Sequence, residues 1–147
     1  MTDQAANSID SASPPAWYWL IAVAALLFEG AGAYLFANSL MLDPATLPLD
    51  QRAVFEATPQ WMNIAWAVAI GAGLLGAVGL LMRRRFAEPL LLISLLAVVV
   101  QFSGILLVRE LRELTPEDHL IVPVVILLLA YGIWQAAKLA RRRGWLR

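Results

Sequence analysis

Cysteine is missing from the 147 residues, and histidine occurs once, at His119. Without cysteine there is no disulfide, no thiolate nucleophile and no cysteine metal site. A single histidine rules out a histidine-rich metal centre. Residues 1–16 contain Asp3 and Asp10 but no Lys or Arg. The basic start of a cleaved signal peptide is therefore lacking, and the first apolar run is expected to be retained. The period-two alternation of barrel strands is lacking too. No metal and no cofactor is expected.

What the chain has in excess is apolar side chain, at 61% of residues. Four apolar runs stand out, at about 17–37, 61–82, 89–108 and 120–137. Each is close to the ~20 residues with which an α-helix crosses ~30 Å of hydrocarbon. Backbone groups in lipid must bond internally, which helices achieve. The sequence thus predicts an all-α membrane protein, a bundle of four transmembrane helices. A tail of residues 1–15, rich in Ser, Ala, Pro and Asp, is expected to be disordered and cytoplasmic. The helical domain takes 16–138, and a basic cytoplasmic tail takes 139–147.

Ser13-Pro14, Thr58-Pro59 and Thr115-Pro116 each offer a capping hydroxyl followed by a proline suited to the first helical position. Pro89 can open the third helix likewise. Pro123 falls inside the fourth run and predicts a kink or a wide first turn. Between the first two runs, "LPLDQRAVFEATP" predicts a short helix capped by Asp50. Val54 and Phe55 would face the bundle or membrane, and Gln51, Arg52 and Glu56 water. The repeated Arg-Glu-Leu of 109–114 suits charge pairing along a helix extension.

The net charge is zero, but the charges are sorted. Arg83, Arg84 and Arg85 join the second and third runs, and Lys138, Arg141, Arg142, Arg143 and Arg147 follow the fourth. The other connections hold Arg52, Arg109 and Arg112 among more numerous acids. The bias predicts that the 83–87 turn and the C-terminus are cytoplasmic, and four crossings bring the N-terminus to the same side. The arginine clusters serve topology, or alternatively hold anionic lipid headgroups. Trp17, Trp19, Trp61 and Trp145 are expected as interfacial anchors, with Trp66 and Trp134 deeper.

Near the middle of the first run lies an acid, Glu29. Counting ~1.5 Å per residue puts Gln101 of the third run at a similar depth, and Tyr131 of the fourth about a turn away. Ala22, Ala25, Gly32 and Ala33 share the Glu29 side of the helix, and the second run repeats small residues at Ala69, Gly73, Gly76 and Ala77. Such faces let helices approach closely, so Glu29 should point inward. An ionised acid at that depth costs at least ~2.5–3.5 kcal/mol. With no Lys, Arg or His level with it, an uncharged carboxyl bonded to Gln101 or Tyr131 is expected. That trio is either a polar clamp between the first and third spans or a protonatable or ligand-binding site.

Three kinds of function stay open. The foremost is a non-enzymatic membrane protein that packs against a second copy or a membrane-protein partner. The next is a small-solute transporter whose path is lined by Glu29, Gln101 and Tyr131. The last is a membrane enzyme, for which no nucleophile–base set is present. Nucleic-acid binding has no support, because the basic residues flank spans.

Certain stretches taken together are familiar. They are "WYWLIAVAALLFEGAGAY", the "TPQW" that opens a Gly/Ala-rich second run ending in "MRRRF", and the terminal "RRRGWLR". Over residues 16–147 the chain resembles a group of small bacterial four-helix inner-membrane proteins of unknown function, often labelled "sugar transporter" in genome annotation. The resemblance implies a multi-pass protein of the bacterial inner (plasma) membrane. It supplies no site residues.

Overall fold

A computed structural model describes residues 13–147, and over them the chain is helical with short connections. The expected tail of 1–15 lies outside the described residues except for Ser13–Pro15. The long helices are α1 (Ala16–Met41), α3 (Gln60–Leu81), α4 (Ala87–Leu107) and α6 (Ile121–Arg142). All four long helical segments are long and apolar enough to cross a membrane. Between them lie two short helices, α2 (Leu49–Ala57) and α5 (Arg109–Leu114), and 3-10 turns at Pro44–Thr46 and Glu117–Leu120. The four expected spans are present, with α1 and α6 running past the predicted ends.

The helical segments start later than expected, by two residues at α1, whose cap is Pro15 and not Ser13, and by one residue after Pro59 and after Pro116. Pro15, Pro59 and Pro116 occupy the N-cap position rather than the first helical turn, and no hydroxyl caps any of the three. The proline φ suits the extended cap backbone as well as it suits the first turn. Thr58 instead donates its hydroxyl back to the Val54 carbonyl at 2.7 Å, closing α2. Pro48, not Asp50, caps α2. Pro123 falls in the first turn of α6, where its missing N–H has no intrahelical acceptor to lose. The turn leading into it is a 3-10 turn, tighter than an α-helix, in place of the expected kink or wide first turn.

Antiparallel packing of α1 on α3 and of α3 on α4 builds the bundle, and α6 packs mainly on α4. The α1–α3 register can be read from contacts along the seam. Phe36 stacks edge-on against Trp66 with centroids 5.1 Å apart. Gly32 faces Ile70, Glu29 faces Gly73, and the Tyr18 hydroxyl donates to the Leu80 carbonyl. On the other face of α3, Gly79 receives Phe86 and Ala87, Gly76 receives Leu91, and Gly104 of α4 receives Met62. Cβ atoms at these glycines would collide with the neighbour, so small residues set the helix spacing. Ala69, Gly73, Gly76 and Ala77 are buried as expected, but wholly within the chain's own seams.

One end of the bundle is rich in arginine. Gly144, at φ 72°, ends α6, and the Trp145 N–H donates to the Ala140 carbonyl at 3.0 Å. That left-handed glycine turns the chain back under the bundle. The Arg147 N–H then donates to Arg83 and the Arg85 N–H to Arg147, while Arg83 Nε donates to the Trp145 carbonyl at 2.9 Å. Trp145 is consequently not an interfacial anchor. It is 7% exposed and packs edge-on against Trp17 and Tyr18. Arg141 pairs with Glu88 of α4.

Candidate functional site

Glu29 is 5% exposed and lies on the Tyr18–Ala22–Ala25 face of α1, turned into the bundle. A Cβ on Gly73 would overlap its carboxyl group, so the acid occupies the space the glycine leaves open. Among the described residues its side chain makes no hydrogen bond. By the helix register the α4 residue at this level is Ser94. Its buried hydroxyl donates to the Ala69 carbonyl at 2.8 Å. The α6 residue at this level is Trp134, whose indole nitrogen is buried and, among the described residues, has no partner. Lys138 holds its ammonium 4.8 Å from the centroid of that ring.

The structure does not bring Glu29, Gln101 and Tyr131 together. Helices α1 and α4 sit diagonally across the bundle and form no packed seam, so Glu29 meets α3 instead. Gln101 lies seven residues beyond Ser94 on α4, about 10 Å farther from the arginine-rich end. Depth counted from the middle of each apolar run misplaced it. Tyr18 docks beside Leu80, close to where α4 begins, so the register is set from the helix starts. Tyr131 is 49% exposed and accepts a hydrogen bond from Gln135 on its own helix.

Gln101 belongs to a different feature. Opposite the arginine-rich end, α1, α3 and α4 end near α2 and α5, which pack on each other. Together they border a half-open cavity of about 780 Å³, within the size range of small-molecule sites. Trp66, Phe36, Phe55 and Phe102 give it an aromatic wall. Gln51, Gln60, Asn63 and Gln101 contribute carboxamides, and His119 its imidazole. Gln51 borders the cavity and is exposed to water as expected. Glu29 does not reach it.

The charges of the surrounding segments are turned elsewhere. Arg52 pairs with Glu56 at 2.7 Å and Arg109 with Glu113 at 2.8 Å, each along its own helix. Among the described residues no Asp, Glu, Lys or Arg lines the cavity. Sequence analysis missed Gln51, Gln60, Asn63, Trp66 and His119 as neighbours of Gln101. A signal was present: uncharged amides gather at the same end of the second and third spans, in chain terms the start of one and the close of the other.

The fold and apolar surface define a multi-pass helical membrane protein. Compared with family models, with curated proteins and with solved structures, the chain finds no match.

Proposed function

We propose that this chain is a non-enzymatic protein of the bacterial inner membrane that binds a small solute in the cavity at the outer end of its bundle. The observation that carries this is the cavity itself, roomy, aromatic-walled and edged with amides, above a bundle closed by small-residue seams. Among the described residues, no hydroxyl of the lining is hydrogen-bonded to His119, which favours binding over chemistry. The arginine bias orients the cavity outward and both termini to the cytoplasm. The resemblance over residues 16–147 agrees with the inner membrane.

Packing against a partner through the small-residue face has lost its main support, because α1 and α4 already fill that face. Transport requires a path past Glu29, which the α1–α3 seam closes. It would take a second state with α1 moved off α3. The chain has no cysteine, so single-cysteine variants are clean probes. Asn63→Cys should react with a membrane-impermeant maleimide added outside intact cells, and Arg84→Cys only after the membrane is opened. Reaction of Arg84→Cys from outside, or an inert Asn63→Cys, would overturn the proposal.

A further inference from the structure

We infer that the outer cavity takes an uncharged amphiphile, a molecule with a hydroxyl- or amide-bearing head and an apolar body; this rests on the solute-binding function proposed above. Three observations combine. First, segments dense in Asp, Glu and Arg surround the cavity, yet among the described residues none of those side chains lines it. A cationic ligand would have no counter-charge there and an anionic one only the single imidazole of His119, so either would leave water without full compensation.

Second, the carboxamides are open to a ligand: Gln51, Gln60 and Asn63 are exposed and Gln101 is half-buried. Among the described residues, the Gln51, Gln60, Asn63 and Gln101 side chains make no hydrogen bond to protein. Each offers two N–H donors and a carbonyl acceptor. Ser39 and Thr58, by contrast, spend their hydroxyls on Phe36 and Val54 carbonyls of their own helices. Groups that both donate and accept suit hydroxyls or amides, which do the same. A carboxylate only accepts and an ammonium only donates.

Third, apart from three hydroxyls and His119, the rest of the wall is apolar. Trp66, Phe36, Phe102 and Ile105 line the side formed by the long helices, at span depth. An apolar body can lie against them while its head meets the amides, of which Gln51 and Gln60 lie nearest the helix starts. A purely polar solute would leave that aromatic wall uncovered.

The test is native mass spectrometry of the full chain released from nanodiscs and titrated with four probes. These are octyl glucoside, octanoate, octyltrimethylammonium and free glucose. Octyl glucoside should bind one-to-one and saturably. Asn63→Leu or Gln101→Leu should weaken it about tenfold, the loss of roughly one hydrogen-bonded head contact. Asn38→Leu, an exposed amide of α1 outside the cavity, should not change it. The two charged probes and glucose should bind at least about tenfold more weakly. Equal, variant-sensitive binding of a charged probe or of glucose would overturn the amphiphile class and leave solute binding standing. Absence of any saturable, variant-sensitive binding would overturn both. Unfolding temperatures of the two leucine variants, matched to the parent, separate lost binding from lost fold.

Discussion

Replacing Gly73 by alanine puts a methyl group where the Glu29 carboxyl already lies. The overlap is too close for a rotamer adjustment of α3 alone, so either the Glu29 side chain turns away or α1 shifts outward. Forcing extra volume into a packed seam typically costs ~1–3 kcal/mol. Alanine recovers ~0.5–1 kcal/mol of helix backbone entropy. The net expectation is a loss of about 1–2 kcal/mol. Gly71→Ala, two residues earlier, is the control. Nothing lies within 4 Å of its Cβ, so only the favourable backbone term remains. Unfolding in mixed micelles with increasing denaturing detergent would measure both. The decisive step is a double-mutant cycle with Glu29→Ala. If the carboxyl is the obstacle, Gly73→Ala should cost little in that background, a coupling of ~1–2 kcal/mol. A Gly73→Ala protein as stable as its parent, or a cost unchanged by Glu29→Ala, would refute the assigned contact.

Other substitutions read other seams. Gly76→Ala would press on the Leu91 side chain at 2.7 Å and its backbone nitrogen at 3.2 Å, and should cost ~1–3 kcal/mol. Gly104→Ala meets only the flexible end of Met62, which can turn aside, and should cost less than about 1 kcal/mol in the same assay. Ser94→Ala removes the bond to the Ala69 carbonyl and should lose ~0.6 kcal/mol, with ~1.7 as the ceiling for such bonds in membranes. Gly144→Ala forces a Cβ into left-handed backbone at φ 72°, worth ~1–2 kcal/mol. Freed from its seat on Trp17 and Tyr18, Trp145 should then redden in fluorescence and the 144–147 tail should become a protease target.

The four spans were legible because hydrocarbon thickness fixes the length of an apolar run and lipid forces the helix. The inward turn of Glu29 was legible too, since Ala22 and Ala25 recur on its side at helical spacing. Its partner was not. Gln101 looked level with it because depth was counted within each run separately. The true register depends on how Tyr18 seats against Leu80. Trp145 looked like an interfacial anchor by position alone. Only the turn at Gly144 and the bonds to Arg83 and Arg85 carry it under the bundle.

The sequence by itself therefore determined that there are four spans, roughly where they lie, and which faces are small enough to touch. Those properties are set by local spacing and by the solvent, and each can be read one helix at a time. The tertiary structure alone decided what each face meets. Helices α1 and α4 share α3 without packing on each other, which leaves Glu29 over Gly73. At the other end, amides from α2, α3 and α4 gather around one cavity. Distances between helices depend on every contact along the seam at once, and no single run of residues contains them.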